Sequence, residues 1–118
     1  MEFFIRQGAT DPILKMRMID DGKNDKSSFN DLLESATITF EMVDSKTDEY
    51  IILDSPCQIG TKTTKFNYST DEYFITYRFT KEQTSNVGRF EGKINITFAD
   101  DNLLIVPIKE KLFINIIS

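Results

Sequence analysis

Apolar and polar positions alternate most regularly between Asn86 and Phe98, where Phe90, Ile94, Ile96 and Phe98 are separated by Arg89, Glu91, Lys93, Asn95 and Thr97. A period of two is what a strand with one buried and one wet face requires. The same alternation predicts strands over Ala36 to Val43, with Ile38, Phe40 and Met42 on the buried side, and over Tyr73 to Phe79, with Tyr73, Ile75, Tyr77 and Phe79 sharing a face. At the N-terminus, Glu2 to Gln7 puts Phe3 and Ile5 on one face and Glu2, Phe4 and Arg6 on the other. Gly8 to Pro12 breaks that strand, because Pro12 has no N–H for a ladder and forces Asp11 towards an extended conformation. From Ile13 to Ile19 the pattern resumes, with Leu14, Met16 and Met18 set against Lys15 and Arg17. This is a second strand or the same edge continued beyond a kink.

Between these runs lie turn-forming clusters. Asp20 to Ser28 is a polar loop, Asp44 to Glu49 connects Ala36–Val43 to a returning strand at Tyr50–Leu53, and Asp100-Asp101-Asn102 is a tight turn. Leu103 to Ile108 is a strand that Pro107 ends or confines to an edge, and Lys111 to Ile117 is the last strand. Pro56–Gly60 and Lys65–Tyr68 read as short extended pieces. Ser28–Ser35 has the spacing of one or two helical turns, and Thr80 and Gln83 have capping-box spacing. Many short strands without a long helix predict an all-β sandwich, or a partly open barrel. The entry Asn86-x-Gly88-x-Phe90 has the spacing of the Asp-x-Gly-x-Tyr corner that leads into strand F of immunoglobulin-like sandwiches, with Asn for Asp and Phe for Tyr. The expected architecture is thus a single Ig-like antiparallel β-sandwich over residues 1–118, with short helical turns in its loops.

Bulk numbers narrow the function. The 118 residues suit one domain, large enough to bury roughly 65% of its unfolded surface. A net charge of −5 on scattered lysines disfavours nucleic acid, whose phosphates call for a concentrated basic surface. No apolar run reaches the ~18 residues of a membrane span, and Met1-Glu2-Phe3-Phe4 does not resemble a secretory leader, so cytosolic synthesis and no membrane insertion are expected. With no histidine and one cysteine, imidazole triads, zinc-hydrolase sites and intrachain disulfides are excluded.

The remaining candidates for chemistry are few. Asp20, Asp21, Asn24 and Asp25 crowd oxygen ligands as calcium requires, but Gly22 is misplaced for a calcium loop and no acidic residue closes it, so a solvated turn is the better reading. A carboxylate pair formed with Asp100 and Asp101 would need an accident of folding. Cys57, beside Pro56 and Ile59, reads as a small buried hydrophobe. Asn67 and Asn95 begin glycosylation triplets that mean little without a secretory signal, and Tyr50, Tyr68, Tyr73 and Tyr77 read as core or cross-strand aromatics before they read as ring-stacking sites. No enzyme activity, cofactor or metal is therefore expected.

The terminal strands carry the stronger signal. Phe3 and Ile5 face opposite to Phe4, while Leu112, Ile114 and Ile116 face opposite to Phe113 and Ile117. Strands apolar on both faces are either central and covered or part of an interface, which makes Phe4, Phe113 and Ile117 candidate partner contacts. The run Phe3-x-Ile5-x-Gln7-Gly8-x-Thr10-x-Pro12-x-Leu14, followed by Asp31-Leu32-Leu33-x-x-Ala36-x-Ile38-x-Phe40-x-Met42, resembles the N-terminal Ig-like domain of tailed-phage baseplate upper proteins. Gly88-Arg89-Phe90-Glu91-Gly92, the Leu103 to Pro107 segment and Phe113-Ile114-x-Ile116 follow in that family's order. Departures are Phe90 where Tyr is usual, Leu33 in place of a turn Thr, and extra residues around Gln58 to Tyr68. The resemblance implies a non-enzymatic virion protein, made in the host cytoplasm and present in several copies, that joins other tail, baseplate or fibre subunits. Its alternatives are a carbohydrate- or host-surface-binding module and a capsid decoration or head-fibre attachment protein.

Overall fold

The computed structural model describes residues 1–18, 35–63 and 71–118. They form nine strands: β1 (Glu2–Arg6), β2 (Leu14–Met18), β3 (Thr37–Asp44), β4 (Tyr50–Pro56), β5 (Gln58–Thr63), β6 (Asp71–Tyr77), β7 (Gly88–Thr97), β8 (Leu103–Val106) and β9 (Leu112–Ile117). The larger sheet runs β1-β9-β7-β3-β4, with β8 also paired to β7, and the smaller runs β2-β6-β5. Every pairing is antiparallel except that of β1 with β9. This is an all-β sandwich with the strand order of a variable-type immunoglobulin domain, β2-β6-β5 standing for B-E-D and β8/β9-β7-β3-β4 for G-F-C-C′.

The alternation read from the sequence decides what is inside. Ile38, Phe40 and Met42 from β3, Phe90, Ile94 and Ile96 from β7, and Leu112, Ile114 and Ile116 from β9 line the inner face of the larger sheet. Leu14, Met16, Ile75 and Tyr77 close it from the smaller one. Phe40 joins the layers, with its ring 4.6 Å from Tyr77 and 5.7 Å, edge-on, from Phe79. Phe3 extends the cluster towards the sheet edge by stacking on Phe79 at 5.8 Å.

Two crossings between sheets were beyond the local pattern. Residues after β1 leave the larger sheet, so Leu14–Met18 pairs with β6 in the smaller one and does not continue the first edge. At Cys57 a single residue separates β4 from β5, and one extended segment passes from one sheet to the other. Pro107 ends β8, and the chain detours through residues 107–111 before β9 resumes along the same side of β7. Ile94 pairs with Val106 above the detour and Gly92 with Leu112 below it.

The corner before β7 is held as its spacing predicts, without a tyrosine hydroxyl. The Phe90 ring is buried and folds back over Gly88, where an added Cβ would lie 3.2 Å from Cζ. The upstream turn docks on the N-terminal segment: the Thr84 hydroxyl, fully buried, donates to the Ala9 carbonyl at 2.9 Å, and the Gly8 N–H donates to the Thr84 carbonyl at 3.0 Å. Thr80 and Gln83 make the reciprocal capping bonds, Thr80 N–H to Gln83 Oε1 at 3.0 Å and Gln83 N–H to Thr80 Oγ1 at 3.2 Å. They close a hydrogen-bonded turn and not a helix, and no helix occurs among the described residues. The turns expected at Ser28–Ser35 and the extended piece at Lys65–Tyr68 lie outside the described residues, apart from Ser35.

Replacing Phe90 by Ala is expected to cost about 3–5 kcal/mol in urea unfolding, as for other buried aromatics, and Phe90→Tyr less than about 1 kcal/mol. Gly92→Ala is expected to cost about 1–3 kcal/mol despite adding one carbon. Its Cβ would meet the Phe40 ring at 3.0 Å and Leu112 at 3.3 Å, and equal stability of this variant and the parent would show that the ring moves freely.

Candidate interaction surface

The outer face of the larger sheet is built by the side chains that the inward alternation leaves over. Across its middle, β7 and β3 present Arg89, Glu91, Lys93, Asn95, Thr97, Thr37, Thr39 and Glu41, and Asn95 Nδ2 donates to Glu41 Oε1 at 2.9 Å. The rim is different. Phe4 on β1 and Ile117 on β9 are 56% and 41% exposed, Leu103 and Ile105 on β8 are 59% and 44% exposed, and Tyr50 and Leu53 on β4 are exposed to a similar degree.

The candidate residues Phe4, Phe113 and Ile117 come together on neighbouring strands. Phe4 pairs with Asn115, so Phe113 and Ile117 lie one step to either side of it on the same face. They are not equivalent. Phe113 is half-buried beneath the Arg89 guanidinium, 3.9 Å from its ring centroid, while Phe4 and Ile117 stay open. Glu2 holds that arrangement: its carboxylate accepts from Arg89 Nη2 and from Asn115 Nδ2, each at 3.0 Å. Exposed pairs of this kind contribute roughly 0.2–1 kcal/mol each, so the network orders the surface more than it stabilises the fold. Of the two terminal strands only β9 is central, flanked by β1 and β7; among the described residues β1 is the last strand of its sheet, and Phe4 faces solvent.

Sequence reasoning missed the patches on β8 and β4. Leu103-Leu104-Ile105-Val106 and Tyr50-Ile51-Ile52-Leu53 are runs apolar on both faces, the signal that singled out the termini, yet a short apolar run reads equally as a buried strand. Only Val106 and Ile52 are fully buried in them. Where residues 107–111 detour around Lys93, a cleft of about 200 Å³ opens between Glu91, Lys93, Pro107, Lys109 and Leu112.

The residues considered for chemistry take structural places. Tyr77 is a core side chain whose hydroxyl meets Ser55 Oγ at 2.8 Å and Gln83 Oε1 at 3.0 Å. Tyr50 is exposed, Tyr73 lies in β6, and Tyr68 and Asn67 lie outside the described residues, as do Asp20, Asp21, Asn24 and Asp25. Asp100 shapes its turn by accepting from the Asn102 backbone N–H at 3.1 Å and side-chain amide at 2.8 Å. Among the described residues no three His, Cys, Asp or Glu side chains gather as metal ligands would, and no helix is long and apolar enough to cross a membrane. Cys57 is half-buried at the sheet crossing, its N–H donating to the Ile38 carbonyl at 2.9 Å, and burial pushes its thiol up to about 12.

No family model, no curated protein and no solved structure matches the chain.

The raised Cys57 pKa has a sign that can be checked. The thiol ionises near its ordinary value of 9.0 once the chain unfolds but only near 12 in the fold, so above pH 9 the unfolded state binds fewer protons. The stabilisation this group contributes is complete below pH 9 and is lost as pH rises towards 12. Urea titrations at pH 8 to 11 are expected to show a shallower alkaline loss for Cys57→Ala than for the parent chain, and identical slopes would contradict the shift. Folded protein should also resist iodoacetamide at pH 8.

Proposed function

We propose that this chain is a non-enzymatic structural subunit of a bacteriophage virion, an adaptor or attachment piece of the tail, baseplate or fibre apparatus that acts by binding other structural proteins. The observation that carries the reading is the distribution of apolar side chains on the outer face, where Phe4, Ile117, Leu103, Ile105, Tyr50 and Leu53 ring a polar centre. Isolated exposed hydrophobics are ordinary, but their concentration along strands at both flanks of one sheet fits a surface that other chains cover. The order of strands and turns that resembles the N-terminal domain of baseplate upper proteins supplies the phage setting. In a symmetric particle, many copies convert weak contacts into stable attachment without any single large interface.

Intact particles purified from infected cells test this directly. The chain is expected in their mass spectra at a fixed stoichiometry, and Leu103→Lys with Ile105→Lys is expected to lower its incorporation about tenfold, equivalent to ~1.4 kcal/mol, with an unchanged melting temperature. Absence of the chain from particles would overturn the reading.

A further inference from the structure

The edge of β1 is both regular and self-complementary. The edge strand β4 is interrupted by two register shifts against β3 and by a left-handed residue, Asp54 at φ 51°. Such irregularities protect an edge from pairing. On β2 the outward Lys15 and Arg17 would repel a second copy of themselves. By contrast, β1 keeps register with β9 from Glu2 to Arg6 without a shift.

The direction of its backbone groups follows from two flanking bonds. The Phe113 N–H donates to the Met1 carbonyl at 2.8 Å, and the Gln7 N–H donates to the Ile117 carbonyl at 2.7 Å. In a ladder the groups alternate, so Met1, Phe3, Ile5 and Gln7 address β9 while Glu2, Phe4 and Arg6 turn theirs to the open side. Among the described residues no strand occupies that side. The Arg6 carbonyl accepts from the Ala9 N–H at 3.0 Å, which leaves the N–H and C=O of Glu2 and Phe4 and the N–H of Arg6 for a partner.

We infer that the partner is β1 of a second copy, laid antiparallel about a two-fold axis through Phe4, so that the larger sheets of two molecules join into one. This deepens the proposed function by giving the candidate residues Phe4, Phe113 and Ile117 one occupant. The axis places Phe4 opposite Phe4 of the second copy and Glu2 opposite its Arg6, twice over, on the outer face. On the inner face it places Phe3 opposite Ile5 of the second copy. Each opposed pair is complementary, with Glu2 reaching Arg6 of the second copy in addition to Arg89 and Asn115 and Arg6 in addition to the Ser118 carbonyl, and the outer-face residues are the ones whose backbone groups, the Arg6 carbonyl apart, are open to a partner. An antiparallel hairpin of the same strand with a shift of two residues would set Glu2 against Phe4 and lose both charge pairs. Ile117 and the Arg89-capped Phe113 then flank the joined phenylalanines on both sides, which extends the apolar strip across the axis.

Five paired residues bury well under the ~1,200 Å² of a stable interface, so the dimer is weak by itself. In sedimentation velocity the mass is expected near 13.6 kDa at about 10 µM and to rise towards twice that value near 1 mM. Phe4→Lys, at an exposed position, should hold the chain at the monomer mass without changing its melting temperature. Glu2→Arg and Arg6→Glu should each remain monomeric alone and form a one-to-one heterodimer when mixed. The register has its own test. In a Cys57→Ser background, Phe4→Cys brings two Cα atoms to about 5.5 Å, within disulfide range, and should cross-link on mild oxidation. Arg6→Cys and Val87→Cys should not. A monomer at every concentration, or cross-linking at all three positions alike, would overturn the pairing. A chain that is monomeric in solution but still incorporated into particles would remove this inference and leave the adaptor reading intact.

Discussion

The packing of the Phe40 ring over Gly92 is the contact on which the sandwich depends. Phe40 sits at the middle of β3, fully buried, and meets Tyr77 and Phe79 from across the core. Its ring has room because β7 carries no side chain at position 92, where a Cβ would stand 3.0 Å away. In an immunoglobulin domain the residue two after the corner tyrosine is a cysteine whose disulfide joins the sheets, against a buried tryptophan on strand C. Here Gly92 is two after Phe90, and the Phe40 ring of β3 packs over it. A chain with one cysteine therefore joins its layers by aromatic contact, worth about 0.5–1.5 kcal/mol per ring pair beyond the area buried.

That central contact also fixes where function can reside. β7, ten residues long, pairs with β3, β8 and β9, so its inner face belongs to the core and its outer face is a row of Arg89, Glu91, Lys93, Asn95 and Thr97. Charged and amide side chains in the middle of a sheet discourage indiscriminate stacking. The exposed large apolar side chains of this face lie to either side of that row, on β1, β9, β8 and β4. The resulting surface is apolar at its margins and polar at its centre.

Much of this was legible one strand at a time. The alternations in β3, β6 and β7 named Ile38, Phe40, Met42, Ile75, Tyr77, Phe79, Phe90, Ile94 and Ile96 as core, and each is buried, while Phe98, named with them, is half-buried just past the end of β7. Pro107 ends β8 as a residue without an N–H must. What local pattern does not carry is which strands become neighbours. Nothing around Cys57 says that β4 and β5 belong to different sheets, because the Cys57 N–H finds its acceptor at Ile38, nineteen positions upstream in the chain. Shielding is likewise a property of register. Phe113 is shielded and Phe4 is not, because Glu91 lies opposite Phe113 on β7 and sets Arg89 one step away with its guanidinium over the ring.

The same network bears on how a small surface can bind at all. Ordering a long side chain at an interface costs about 0.5–1.5 kcal/mol, and Glu2 and Arg89 are already ordered by their mutual bond and by Asn115. The Phe113 ring beneath them cannot turn away from the sheet without losing its cation. A partner that covered Phe4 and Ile117, as proposed above, would meet neighbours set in place before it arrived. Preorganisation of this kind raises the affinity of a contact too small to be stable alone, and it does so without enlarging the apolar patch that the free subunit exposes. If the chain is the adaptor proposed above, a rigid rim around a polar centre would let it bind weakly and specifically, leaving stability to the number of copies that an assembly brings together.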